Sequence, residues 1–325
     1  MTAEEFNRLY LLALRGIDDV GWHWFSYHFH NGPTPFAMCI LEACAAIDER
    51  TERIGTTLLS ELISIGGRDR DAAQYEQLLQ KMGEILVIER VVCSEWPRGT
   101  TFQHEPAAFP GGARPELVVN FEDGRLVVEV KTPSQLNHIR NRANNRVQLA
   151  YRGGVSRELA EKIAEDEGVV LPRDNPILDF LRDANRKFDG FRQEQSTSSL
   201  LVIVWDDHIY EPISTLVNEA SGLLTVNSFA KNADGIAETY PNIDAVVVLR
   251  HLNYMIAGSR EEPLLDRVSA LDFGGERALP NVLFLAQGER QLPEIVLERL
   301  RAYFHDDPGL KMFAEYNPQD VVFWM

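Results

Sequence analysis

The sequence predicts an α/β protein in which a mixed central sheet is flanked by helices, with a helical region before it and an α/β extension after it. Three observations carry that expectation. The apolar runs LLVIVW (200–205), AVVVL (245–249) and VLFLA (282–286) are short and β-branched, as strands covered on both faces are. Segments with apolar residues at helical spacing separate them. Finally, Asp123-Gly124 joins two further β-branched runs, ELVVNF and RLVVEVK, the strongest short-range signal for a hairpin.

Taken in order, residues 1–67 read as a helical accessory region. Pro35–Ile47 is nearly all apolar and predicts a buried helix; a second follows through Leu58, Leu59, Leu62 and Ile63 and stops at Gly66-Gly67. Residues 68–209 read as the core. Helix formers from Asp71 lead to Leu78, Leu79 and Met82, with Gly83 closing the helix, and Ile85–Cys93 (ILVIERVVC) then reads as a strand. The hairpin comes next, followed by a helix over Ile177–Phe191 and the strand LLVIVW. The predicted order is α-β-β-β-α-β. Residues 210–325 hold the other two strands and a helix around Leu292–Phe304; they either extend the central sheet or form a lobe of their own.

The composition narrows the function classes. With 45% hydrophobic and 25% charged residues among 325, the chain is neither a disordered tail nor a disulfide-stapled miniprotein. A net charge of −17 argues against coating nucleic acid or anionic membrane with the whole surface. Three cysteines without a CxxC pair argue against a disulfide framework and a thiolate zinc site. The N-terminus carries acids where a signal peptide needs cations, and its apolar run is too short to span a membrane, so a soluble cytoplasmic protein without a membrane partner is expected. Walker, Rossmann and GxSxG motifs do not occur, which lowers nucleotide-hydrolase, dehydrogenase and serine-hydrolase readings.

The residues that carry chemistry lie between Arg114 and Pro133. With Asp123-Gly124 as the turn, facing residues sum to 247, placing Glu116 opposite Lys131 and Val118 opposite Glu129. Alternation puts Glu129 and Lys131 on one face, so Glu116, Glu129 and Lys131 converge at one end of the hairpin. Two carboxylates side by side in a half-buried sheet need positive charge between them. Lys131 supplies some; a hard divalent cation held by Glu116, Glu129 and the backbone carbonyl of Val130 supplies more, and Mg²⁺ or Mn²⁺ takes such oxygen ligands. Such an ion polarises a phosphoryl oxygen and activates water. The competing explanation is an edge hairpin with an ordinary cross-strand ion pair.

Pro115-Glu116, a twelve-residue spacer and Glu129-Val130-Lys131 together resemble the signature of the PD-(D/E)XK, or restriction-endonuclease-like, nuclease superfamily, and the predicted element order resembles its core over about residues 70–206. The resemblance implies a metal-dependent nuclease acting on DNA more than RNA, in restriction, phage defence or repair. Glu116 and Glu129 would be metal ligands, Lys131 the catalytic lysine, and a homodimer the common form of double-strand cutters. Glu stands where the first acid is usually Asp. Superfamily members often carry a further acid on the helix before the first strand; Glu76 is the candidate, with Glu84 its competitor.

From Lys131 to Arg157 the chain has six Lys/Arg and no acid. Arg140, Arg142, Arg146 and Arg152, with interleaved Asn and Gln, form the footprint of a phosphate-backbone contact; a solvated basic face is the alternative. Lys187 and Arg192, on the helix before LLVIVW, either face the site or belong to a solvated helix face. His23, His28 and His30 read as aromatic packing rather than a metal site. The runner-up function is a non-catalytic module on the same fold that binds nucleic acid or protein.

Overall fold

A computed structural model describes residues 2–134, 176–192, 196–275 and 278–319 together with residues 136, 140 and 162 and the short strands 147–149, 169–170 and 321–323. Among these, helices α1 (Ala3–Val20), α2 (Ser26–His30), α3 (Pro35–Asp48), α4 (Ile54–Ser64) and α5 (Ala72–Val92) precede the first strand. The starts of α1, α3 and α5 follow side-chain capping rules: Thr2, Thr34 and Asp71 accept hydrogen bonds from the amides of Glu5, Ala37 and Ala73. Pro35 occupies the first turn of α3, where its missing N–H costs nothing.

The sheet has the strand order β1-β2-β3-β6-β7-β8-β9. These strands are β1 (Thr101–His104), β2 (Leu117–Phe121), β3 (Gly124–Lys131), β6 (Thr197–Trp205), β7 (Ala245–Arg250), β8 (Asn281–Leu285) and β9 (Ala302–Phe304). Strands β1, β2 and β3 run antiparallel, β6 and β7 continue parallel to β3, β8 reverses, and β9 runs parallel to β8. A second, small sheet joins β4 (Val147–Leu149), β5 (Val169–Val170) and β10 (Val321–Phe323). Residues 210–325 thus complete the central sheet, which decides between the two possibilities open in the sequence.

Both faces of that sheet are buried, and alternation sorts its side chains. Leu117, Val119, Leu126, Val128, Val130, Val202 and Val204 join a core shared with α1, α3, α4 and α5. Val118, Val127, Leu201, Ile203 and Trp205 join the opposite core beneath α6 (Pro176–Asp189) and α7 (Tyr210–Val217). His23 and His28 are buried in the first core's aromatic cluster, where His28 pairs with the Thr34 hydroxyl and the Ser259 carbonyl.

Three expectations need correction, the smallest being the helix around Leu292–Phe304, which covers only Glu294–Arg299 before Ala302–Phe304 becomes β9. Ile85–Cys93 is no strand: α5 runs unbroken for 21 residues through Gly83 to Val92. This half of the helix lies between the helical layer and the sheet, so Ile85, Leu86, Val87, Ile88, Val91 and Val92 are all buried and the helical period is erased. Gly83 does not end the helix. It lets α5 approach the sheet: a Cβ there would lie 2.5 Å from Thr132 Oγ1 and 3.3 Å from a Val204 methyl. The first strand is β1; among the elements of the central sheet the order reads α-β-β-β-α-β with different residues, while the small-sheet strands β4 and β5 intervene between β3 and α6.

The hairpin register is the third correction. Phe121 pairs with Gly124 and Leu117 with Val128, so facing residues sum to 245 and Glu122-Asp123 make the turn. Gly124 is the first residue of β3 rather than a turn residue, and its φ is not positive. It is small because a Cβ there would strike the Ser196 carbonyl at 2.5 Å, where the chain entering β6 crosses. A slip of two residues keeps every side chain on its expected face but changes its partner.

Candidate functional site

The corrected register brings the two glutamates closer than the sequence implied. Extending the β2–β3 pairing by one residue sets Glu116 directly across from Glu129, with Lys131 beyond the last paired position. Glu129 is fully buried, on the same face as Val127 and beside its β6 partner Leu201, a position the pattern would otherwise fill with an aliphatic residue. Val130 points to the opposite core; β2 ends before reaching it, so its strand partner is Val202 of β6.

Helix α6 completes the site from above. Its apolar stripe, Leu178, Leu181, Ala184 and Phe188, seats it on the sheet. Asp183 and Lys187, one turn apart, then reach the end of the hairpin. Lys187 donates to Glu129 Oε1 at 2.6 Å, and its Nζ lies 3.9 Å from Glu116 Oε1 and 3.8 Å from Asp183 Oδ2. Lys131 Nζ lies 2.8 Å from the same Glu129 Oε1 and donates to Asp183 Oδ2 at 2.6 Å. Both ammonium groups therefore crowd one oxygen of Glu129. The other, Oε2, is buried with no hydrogen-bond partner among the described residues.

Helix α5 and strand β1 supply further charge. Glu84 pairs with Lys81, which also donates to Glu61 at 2.9 Å. At the end of β1 the amide of Glu105 donates to the Glu116 carbonyl at 3.1 Å. One ligand atom from each of His104, Glu105 and Glu116 lies within 4.8 Å of the others. The locality thus gathers six carboxylates (Glu61, Glu84, Glu105, Glu116, Glu129 and Asp183) against three lysines.

The protonation equilibria register this crowding. Burial, then the charges of Glu84 and Glu129, push the Glu116 carboxyl up to about 8, against the pull of Lys187 and Lys81. Burial also raises Glu84, despite Lys81. Lys131 is raised: burial works against its charge, but Glu129 and Asp183 outweigh it. Asp183 goes down for the converse reason, with burial overcome by Lys131 and Arg186. Burial first, and its acidic neighbours second, thus favour the protonated over the ionised form of Glu116.

Glu116, Glu129 and Lys131 are brought together as the sequence implied. Glu76 is engaged elsewhere: its carboxylate accepts from the Leu136 amide at 3.0 Å, two turns (about 12 Å) before Glu84 on α5. Of the two helix acids, Glu84 is the one whose charge acts on Glu116. Lys187 faces the site, whereas Arg192 is bound to Asp244 and to the carbonyls of Thr197, Pro241 and Gly288. Arg142, Arg146 and Arg152 lie outside the described residues; Arg140 is described and exposed. Sequence reasoning missed Asp183, Lys81, His104 and Glu105. A Pro- and Gly-rich loop hid β1, and an Asp-x-x-x-Lys spacing on an amphipathic helix carries no chemical signal of its own.

No family model, curated protein or solved structure matches the chain. Among the described residues no helix is long and apolar enough to cross a membrane.

Proposed function

We propose that the chain is a metal-dependent nuclease that hydrolyses phosphodiester bonds, of DNA in the first instance, on a restriction-endonuclease-like core. One observation carries the reading: fully buried Glu129, with an oxygen that no group among the described residues satisfies, faces a second, largely buried carboxylate, Glu116, beside Lys131. A buried carboxylate pair with an orphaned oxygen costs stability unless something positive completes it, and an all-oxygen donor set suits Mg²⁺ or Mn²⁺. The order α5-β1-β2-β3-α6-β6, once the small-sheet strands β4 and β5 between β3 and α6 are set aside, and β6 parallel to β3 support the same core.

Glu116 and Glu129, with the Val130 carbonyl, would hold the ion. When bound it supplies positive charge to a phosphoryl oxygen and lowers the pKa of water. Lys131 is fixed by Glu129 and Asp183 through two contacts, which leaves one of its three donors for the attacking water or a phosphate oxygen. Asp183 orients Lys131. Lys187 neutralises Glu129 and Glu116 before the ion arrives. The Lys131–Arg157 segment, with Arg140, Arg142, Arg146 and Arg152, would carry the phosphate backbone at the end of the catalytic strand.

A second reading has its own support, since Lys131 and Lys187 already contact Glu129, as in a binding module that never takes a metal. Cleavage of supercoiled plasmid, single-stranded DNA and RNA, in Mg²⁺, Mn²⁺ or EDTA, separates the two. The nuclease requires metal-dependent cutting that falls about 100-fold or more in Glu129→Gln and Lys131→Met, with circular dichroism unchanged. Binding without cutting, unaltered by Lys131→Met, would instead establish the module.

A further inference from the structure

We propose that His104, Glu105 and Glu116 form a binding site for a divalent transition ion such as Mn²⁺ or Zn²⁺, with Glu116 shared between this ion and the carboxylate pair it makes with Glu129. Among the described residues this is the group of three such side chains whose ligand atoms approach one another within 4.8 Å. An ion about 2.1 Å from each of three ligands holds them about 3.4 Å apart in tetrahedral geometry, so modest side-chain rotation closes the site.

Each ligand is placed by the sheet. His104 ends β1 opposite Leu117, the first residue of β2, and Glu116 immediately precedes that residue. The Glu105 amide is tied to the Glu116 carbonyl, which fixes the two chain segments side by side. His104 Nε2 is buried and lacks a hydrogen-bond partner among the described residues.

Beside this group Glu129, fully buried across from Glu116, keeps Oε2 without a hydrogen-bond partner among the described residues while both neighbouring lysines occupy Oε1. Two donor atoms without partners among the described residues, His104 Nε2 and Glu129 Oε2, thus belong to residues beside Glu116 in the sheet. Oxygen ligands alone suit Mg²⁺; adding an imidazole moves the preference towards Mn²⁺ and Zn²⁺. The inference shares Glu116 with the nuclease reading and, where that reading holds, sets its metal preference. Its evidence, however, is metal binding rather than cleavage.

The test is Mn²⁺ binding to the full chain, followed by the loss of the free-ion signal in electron paramagnetic resonance with Mg²⁺ as competitor. We expect a site that excess Mg²⁺ displaces poorly and that weakens about tenfold or more in His104→Gln and in Glu105→Gln, with circular dichroism unchanged. Zn²⁺ should shift the His104 ring-nitrogen resonances in wild-type protein labelled at histidine, a readout that needs no variant. Unchanged Mn²⁺ affinity in both variants, or unshifted His104 resonances at saturating Zn²⁺, would overturn the site. A chain that binds Mn²⁺ through His104 yet cuts nothing defeats only the nuclease reading; one that cuts, with Mn²⁺ binding indifferent to His104, defeats only this inference.

Discussion

Glu116 and Lys187 make opposite contributions to the metal-free protein. Glu116 adds a carboxyl to an already acidic neighbourhood, while Lys187 relieves it by touching Glu129 and approaching Glu116. Replacing Glu116 by Gln removes a buried charge site at nearly constant shape, and stability in EDTA should rise by about 1–2 kcal/mol, a few degrees in Tm. Lys187→Met leaves Glu129 and Glu116 with less counter-charge and should cost about 2–4 kcal/mol. Thermal unfolding of both variants in EDTA checks the pair; equal signs would mean that the carboxylates are not in conflict. Glu116, Glu129 and Lys131 were readable in the sequence because a strand alternates with period two, so even a register wrong by two residues leaves faces correct. Asp183 and Lys187 were not readable as partners, being 52 and 58 residues from Lys131 and Glu129.

At the scale of the element, α5 and β1 are where sequence and structure part. Gly83 has the look of a helix stop and is a contact point instead. Alanine there is the better helix former by about 1 kcal/mol, yet its Cβ would press on Thr132 Oγ1, which is buried without a partner. Gly83→Ala should therefore destabilise by about 1–3 kcal/mol, and adding Thr132→Ala should recover part of the loss by removing the obstructing hydroxyl. Chemical denaturation of both variants decides it, since a single Gly83→Ala variant as stable as wild type would remove close packing as the reason for the glycine. The β1 strand escaped notice for a different reason: its four half-exposed residues, TFQH, give alternation too short to separate from loop.

For the whole molecule, a buried histidine should weaken the fold in acid. His251 is completely buried, bonded to the Ala270 carbonyl and packed on Phe273 and Tyr254. Burial, reinforced by Arg267 and Arg90 against the pull of Asp272, takes it down to about 3. Its folded value lies below the unfolded one, about 6.5, so the neutral ring's contribution is complete above pH ~6.5 and is lost as the pH falls towards 3. Wild type should lose up to about 3 kcal/mol from this group between pH 6.5 and 4, and His251→Gln should show a shallower decline in urea unfolding. Equal slopes would show that the ring is hydrated. Charge distribution is the other global property: with −17 overall, the nucleic-acid binding proposed above would rest on the local basic segment. Affinity should then fall steeply with salt, and charge reversal of Arg140, Arg142 and Arg146 should abolish it in filter-binding titrations.

The sequence by itself determined the α/β class, the covered strands, the hairpin and the convergence of Glu116, Glu129 and Lys131. Each of these follows from a local period or a turn signal, which neighbouring residues express together. Only the tertiary structure decided that ILVIERVVC is helix, that the pairing sums to 245, that the last third completes the sheet, and that Asp183, Lys187, His104 and Glu105 gather around the carboxylate pair. A helix buried on all sides loses its period, a glycine needed for close approach looks like a turn or a stop, and side chains brought together from distant segments have no common pattern along the chain.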